Sequence, residues 1–420
     1  MGAKSWVALG HRFTITTSVP VLDVYLQDLF ADLPPVNDAK HRYVIDGPDD
    51  LGRFVARRDG DDIGPAGEAH RAFALLLWSI NRGVIEGARD LVLMHAGGVE
   101  IAGNGVLLPG DMEVGKTTLV TGLLRAGAAY LSDEAVGIGF DDDRMRGYAK
   151  ALSLDPGSWP LFPDLRPIVS EEVEPFLPHQ WQVRASSLPG VEVREHAAPG
   201  AIVLPRYVPT APTQVRRLEA AEALPQLAAC VFPAHRDRRT TLRRIGRLLD
   251  HVPCYQLTYS AIGSGVEVVM ALGHGPPADG TFGRLEPRGD ADGWSSTDPG
   301  SEAELDAVPT PELDVASTPH RLGEQSRVQR SDDAAGIDVA GQIVIHVATT
   351  DALYGLNEVG AEIWRHLDGM GTLERLIDQL ASASSQQRDA IAPAVLGFVE
   401  ELLHRGLLTR QLPELQQGSR

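Results

Sequence analysis

Cysteine is nearly absent: Cys230 and Cys254 are the only two in 420 residues, and they form neither a C-x-x-C pair nor a zinc pattern. That excludes a disulfide framework and a cysteine-built metal site, and two buried thiols in a reducing compartment are expected. Long apolar runs are missing as well. No stretch reaches the roughly 20 residues that cross a bilayer, so no membrane span is expected. Basic residues are outnumbered, 38 Lys and Arg against 57 Asp and Glu, which leaves a formal net charge of -19. Such a charge disfavours nonspecific attraction to DNA, RNA or anionic lipid, though it leaves room for a local basic site. The segment Met1 to Val7 lacks the apolar core of a secretory signal, and Trp6 stands where a myristoylation signal needs Ser or Thr. A cytoplasmic protein is expected. Its 43% hydrophobic and 23% charged content is that of an ordinary globular chain, long enough for two or three domains.

What is present is one complete motif. Gly110-Asp111-Met112-Glu113-Val114-Gly115-Lys116-Thr117-Thr118 fits G-x-x-x-x-G-K-[ST], the loop that cradles phosphates. Gly110 and Gly115 let the backbone bend so that successive N–H groups converge on one anion. Lys116, expected to be solvent-reachable, adds a point charge for the β- and γ-phosphates, and the Thr117 hydroxyl can ligate Mg²⁺. The flanks agree. Val106-Leu107-Leu108-Pro109 reads as a strand, with Asn104-Gly105 as a hairpin turn from Val99-Glu100-Ile101. Thr118 to Arg125 has apolar residues at helical spacing, closed by Gly127. ATP with Mg²⁺ is the expected ligand.

Further candidates lie nearby. His95-Ala96-Gly97-Gly98 follows the strand Leu91 to Met94, and its glycines permit close approach of backbone or ligand. His95 stands evenly between a structural and a functional role. Ser132-Asp133-Glu134 joins two apolar stretches, and adjacent carboxylates at a strand end suit metal ligation plus general base work. Lys150, among apolar residues, is placed either to neutralise phosphate charge or to snorkel from a strand edge. Arg236, Arg238, Arg239, Arg243, Arg244 and Arg247 make a basic run at helical spacing, read as a solvated face, with a phosphate or acidic-peptide contact as the lesser alternative.

Val21 to Phe30, Ala72 to Ile80 and Leu242 to Leu249 read as helices, and Val136 to Phe140 and Ala201 to Leu204 as strands. Residues 276–327 change character: they are rich in Gly, Pro and Ser, with acids outnumbering bases about three to one, the signature of a flexible tether. A small domain is expected over 328–420. It has a strand at Gly341 to Val347, a helix capped by Asn357 and ended by Gly369, one capped by Thr372, and one from Arg388 to Arg405 stopped by Gly406.

With those residues in view, the first 275 residues resemble the HPr kinase-like group, whose members share a phosphate-loop core with phosphoenolpyruvate carboxykinase. The resemblance rests on His95 to Gly98, Gly110 to Thr118 and Ser132-Asp133-Glu134, with weaker agreement at Lys150 to Leu154 and Leu204 to Tyr207. It implies an α/β fold and ATP-dependent transfer to a hydroxyl. By resemblance Gly110 to Thr118 bind the nucleotide, Thr117, Asp133 and Glu134 hold Mg²⁺, Asp133 is the base, and His95 and Lys116 complete the catalytic set. True HPr kinases carry Asp-Asp where this chain has Asp133-Glu134; Asp-Glu resembles the divergent branch that includes kinases of ribosomally made peptides. Leu356 to Trp364, Leu367-Asp368-Gly369, Thr372 to Leu380, Phe398 to Leu402 and Gly406-Leu407-Leu408 resemble PqqD-like domains, the RiPP recognition element. Those are winged-helix-like and take a leader peptide as an added strand.

The sequence thus points to a kinase of a Ser or Thr hydroxyl on a ribosomal precursor peptide, with the leader and other maturation enzymes as partners. Two rivals are a non-catalytic nucleotide-binding protein that delivers precursor and a phosphoryl enzyme acting on a small molecule. Glu400 and Glu401 on the last helix disfavour DNA.

Overall fold

A computed structural model describes residues 4–110, 114–177, 180–233, 236–275, 322–367, 371–384 and 387–411. The chain divides into two units, residues 1–219 with 226–299, and residues 220–225 with 300–420. The segment expected to be a tether lies outside the described residues up to position 321.

The first unit opens with a five-stranded sheet in sequential order: β1 (Ser5–Ala8), β2 (His11–Thr17), β3 (His41–Asp46), β4 (Val55–Arg58) and β5 (Asp61–Asp62). Helix α1 (Pro20–Leu29) starts on a proline, whose fixed φ suits the first helical turn and whose missing N–H is no loss there. It buries Leu22, Leu26 and Leu29, one stripe at helical spacing. Helix α2 (Ala69–Gly87) packs on β2, β3 and β4.

The larger sheet contains β6 (Leu91–Ile101), β7 (Asn104–Pro109), β8 (Ala129–Ser132), β9 (Ala135–Gly139) and β10 (Met145–Gly147). After a two-stranded antiparallel pair, β11 (Leu152–Leu154) and β12 (Trp181–Val183), come β13 (His196–Tyr207), β14 (Gln214–Leu218) and β15 (Cys254–Tyr259). The helices along this stretch are α3 (Lys116–Arg125), α4 (Ala220–Ala229), α5 (Arg238–Leu249) and α6 (Ile262–His274). The order is β10-β9-β6-β7-β13-β15-β14, with β8 also on β6. β7, β13 and β15 run parallel, so their carboxyl ends share the edge from which the phosphate loop leaves β7.

Three local expectations need correction. The hairpin turn is Ala102-Gly103, both at positive φ, while Asn104 pairs with Ile101 inside the ladder. Asn104 donates its amide to the Gly273 carbonyl at 2.9 Å, a tertiary bond that outweighs its turn preference. His95 does not follow a strand but sits within β6, opposite Ala135. Its neighbours Gly97 and Gly98 make room for Val120 and Val136, which a Cβ would meet at 2.7 and 2.8 Å, so these glycines serve packing and not a ligand.

His11 is buried, its Nε2 2.9 Å from the Tyr43 hydroxyl and its ring stacked on His41. Tyr43 donates to the Ser79 carbonyl, which makes His11 the donor in their bond. Burial, with smaller contributions from His41 and Arg58, lowers the His11 pKa to about 4. Stability is then fully present above the unfolded value near 6.5 and is lost as pH falls through that value to 4, because only the unfolded chain gains the proton there. Between pH 7.5 and 4.5 we expect this histidine to cost about 2.5 kcal/mol, and His11→Gln to flatten that slope in urea melts. Equal slopes for both proteins would refute the assignment.

The second unit holds a three-stranded antiparallel sheet, and β17 and β19 each pair on one side only among the described residues. In chain order its strands are β16 (Val328–Arg330), β17 (Ala334–Val339), β18 (Gln342–Val347), β19 (Ala352–Leu356) and β20 (Leu408–Arg410), with β16 on β20. Helices α7 (Glu358–His366), α8 (Leu373–Ser384) and α9 (Arg388–His404) cover a core around Trp364, Ile377, Val395 and Val399. Asn357 caps α7 by accepting the Gly360 N–H at 2.8 Å, and Gly406 stops α9 at positive φ, as expected. Gly369 lies outside the described residues. Among the described residues no helix is long and apolar enough to cross a membrane. Cys230 and Cys254 are buried, and neither is in a disulfide.

Candidate phosphate-loop site

Gly115 begins α3 with φ 82°, a left-handed conformation that glycine takes without strain. As the N-cap residue, Gly115 offers no side chain to cap this helix end. Its first N–H groups therefore lack intrahelical partners, and with the helix dipole they form an anion site. Lys116 Nζ donates across the loop to the Gly110 carbonyl at 2.9 Å. Lys116 is only 5% exposed, not the solvent-reachable side chain expected. Asp111, Met112 and Glu113 lie outside the described residues; Gly110, Val114, Gly115, Lys116, Thr117 and Thr118 lie within them. Thr118 shares a 2.6 Å hydroxyl bond with Ser158, so it is tied to the scaffold.

The turn between β8 and β9 brings Asp133 under this loop. Thr117 Oγ1 donates to Asp133 Oδ2 at 3.1 Å, and the Ser153 N–H donates to the same oxygen at 3.1 Å. Oδ1 is 3.0 Å from the Tyr130 hydroxyl and 3.0 Å from Lys150 Nζ. Thr117, Ser153 and Lys150 thus donate to the carboxylate, while the single Tyr130 proton is shared with the Lys150 carbonyl 2.8 Å from its oxygen. The Asp133 side chain is 1% exposed and that of Lys150 8%, so this is a buried ion pair and not a snorkelling lysine. Burial alone would lower the Lys150 pKa, but Asp133 and then Glu134 outweigh it and hold it above the usual lysine range. Tyr130 is pushed well above the phenol range, first by burial and then by Asp133.

Glu134 differs. Its side chain is 33% exposed, it stands 3.7 Å from Lys150, and His95 Nε2 is 3.9 Å from its other oxygen. His95, Asp133, Glu134, Lys150, Lys116 and Thr117 therefore do converge. Tyr130 and Ser153 were not foreseen; Tyr130 sits three residues before Asp133 across a strand end, a spacing with no motif attached. The basic run is not part of the site. Arg244 is buried and donates to the Gly139 carbonyl at 2.7 Å and to Asp143 at 2.6 Å, and Arg236 lies over Phe140 at 4.6 Å.

Among the described residues no group of three or more His, Cys, Asp or Glu is arranged to hold a metal. Thr117 and Asp133 are of the residue types that hold Mg²⁺ in a phosphate-loop site, and here they share a hydrogen bond.

Residues 342–408 match the family described as coenzyme PQQ synthesis protein D (PqqD), so the chain carries a PqqD-type domain, the RiPP recognition element, near its C-terminus. Two solved structures are similar to parts of the chain. One is TbiB1 in complex with the TbiA(beta) leader peptide, 22% identical, covering 20% of this chain and 99% of that one, TM-score 0.19. The other is the HPr(Ser) kinase/phosphatase from Coxiella burnetii, 12% identical, covering 43% of this chain and 95% of that one, TM-score 0.25. No curated protein matches the chain.

Proposed function

We propose that the protein transfers the γ-phosphoryl group of ATP to a Ser or Thr hydroxyl of a ribosomally made precursor peptide. The Thr117–Asp133 hydrogen bond at the mouth of a glycine-started helix carries this reading. The loop N–H groups and Lys116 hold phosphates, Thr117 holds Mg²⁺, and Asp133 stands behind Thr117 in the outer shell of the metal. Bound Mg²⁺ would neutralise charge on the phosphates. The resemblance made Asp133 the base and Glu134 the second acid; the geometry favours the reverse division. Asp133 is buried with both oxygens engaged, by Thr117 and Ser153 on one and Lys150 on the other, whereas Glu134 is more exposed and stands 3.9 Å from His95. We therefore give Glu134 the hydroxyl proton.

The PqqD-type domain holds the leader, by strand addition at the free edge of β17 or β19. We take 1–275 as the kinase domain, 276–327 as the tether and 328–420 as the leader domain. The tether keeps the acceptor end at high effective concentration. Leader deletion should therefore raise the apparent KM for precursor by roughly two orders of magnitude and leave kcat within a few fold. Steady-state kinetics with precursors encoded beside the gene tests this, and an unchanged KM would remove the leader domain from catalysis.

A further inference from the structure

Beside Glu134 the first unit forms a partly open cavity of about 130 Å³ that no part of the nucleotide reading uses. Leu29, Phe30 and Leu77, from α1 and α2, line one side, and Asn81, Gln180 and Gln182 supply amides. Glu134 and Lys150 line it too, and Lys150 also touches Asp133, which binds Thr117. One ion pair therefore separates the cavity from the phosphate loop.

The amides are held in order. Lys150 Nζ donates to Ser153 Oγ at 2.8 Å, Ser153 donates to Gln182 Oε1 at 3.1 Å, and Gln182 donates to Gln180 Oε1 at 2.7 Å. Gln180 then donates to Asp155 at 2.8 Å. A cation at one end and an anion at the other fix which way each amide faces. Each glutamine keeps one N–H and one carbonyl lone pair beyond the chain, the complement of a peptide group. Asn81 accepts from the Tyr148 hydroxyl at 2.9 Å, which leaves its NH₂ outside that bond. Lys150 is the cavity's one cation among the described residues, and Asp133 and Glu134 neutralise it. An anionic small molecule would find no counter-charge here.

We infer that this cavity is the acceptor site and that it takes an uncharged, hydroxyl-bearing peptide segment, bound through the Asn81, Gln180 and Gln182 amides and the apolar wall. This rests on the proposed phosphoryl transfer and deepens it. The acceptor oxygen forms a bond to the γ-phosphorus, the bond from that phosphorus to the bridging oxygen breaks with its electron pair leaving on ADP, and the hydroxyl proton goes to Glu134.

The test places a thiol in the wall by Leu77→Cys, since Cys230 and Cys254 are buried. Iodoacetamide labelling is followed with a mixture of blocked heptapeptides, serine at the centre and uncharged flanks, and with the same mixture carrying phosphoserine. The serine mixture at saturation should slow labelling about tenfold, and the phosphoserine mixture should not. Should Leu77→Cys fail to fold, Ala151→Cys reports from the same cavity. Equal rates with and without the serine peptides overturn the acceptor site, and equal protection by both mixtures overturns its preference for an uncharged segment. MgADP titration of the same protein keeps the two ideas apart. Nucleotide binding without peptide protection sinks the acceptor site alone. Protection without nucleotide binding supports a peptide site and sinks the phosphoryl-transfer reading.

Discussion

Lys116→Ala should reduce phosphoryl transfer at least a thousandfold. The ammonium is held over the loop by the Gly110 carbonyl, in a position 5% exposed, where its charge is poorly screened. Removing a preorganised cation from a water-poor site costs on the order of 4 kcal/mol in the transition state. Because the stem is buried, alanine would also leave a small void, and Lys116→Met keeps the volume while removing the charge. Both variants should lose transfer, and Lys116→Met should keep the wild-type melting temperature within a few degrees. Wild-type turnover in Lys116→Met would place phosphoryl transfer elsewhere.

The two neighbouring acids should behave differently when each is made neutral. Glu134→Gln should lower turnover by roughly 10²–10⁴, the usual size of a lost proton acceptor, with MgADP affinity nearly unchanged. Its fold should hold, since Asp133 still pairs with Lys150. Asp133→Asn removes the nearer partner of a buried lysine and should cost about 3–5 kcal/mol of stability as well as metal affinity. Turnover, MgADP titration and urea melts on the two variants separate these roles. Full turnover in Glu134→Gln, with a stable but inactive Asp133→Asn, would return the base to Asp133.

Much of this site is readable from neighbouring residues. The loop, the helix it starts and the turn at Ser132-Asp133-Glu134 are local, and local chemistry selects them. The caps at Asn357 and Gly406 were legible for the same reason. What escaped depends on distant partners. Asn104 leaves its turn role for a carbonyl 169 residues away. Lys150 looks like a strand-edge lysine until β8 brings Asp133 to 3.0 Å. The cavity is walled by α1, α2 and the β11–β12 pair, with α1 about 150 residues before Gln180 and Gln182, which carry no motif. Strand period alone places Gln180 and Gln182 on one face, but not what that face meets.

The central claim is phosphoryl transfer to a peptide hydroxyl, and γ-labelled ATP tests it most directly. Full-length protein, Mg²⁺ and a precursor encoded beside the gene are incubated, and the peptide is resolved and sequenced by mass spectrometry. The account predicts label on one Ser or Thr of the precursor, greatly reduced by Glu134→Gln. ATP that binds while no precursor hydroxyl gains label would contradict it and leave a nucleotide-binding delivery protein in its place.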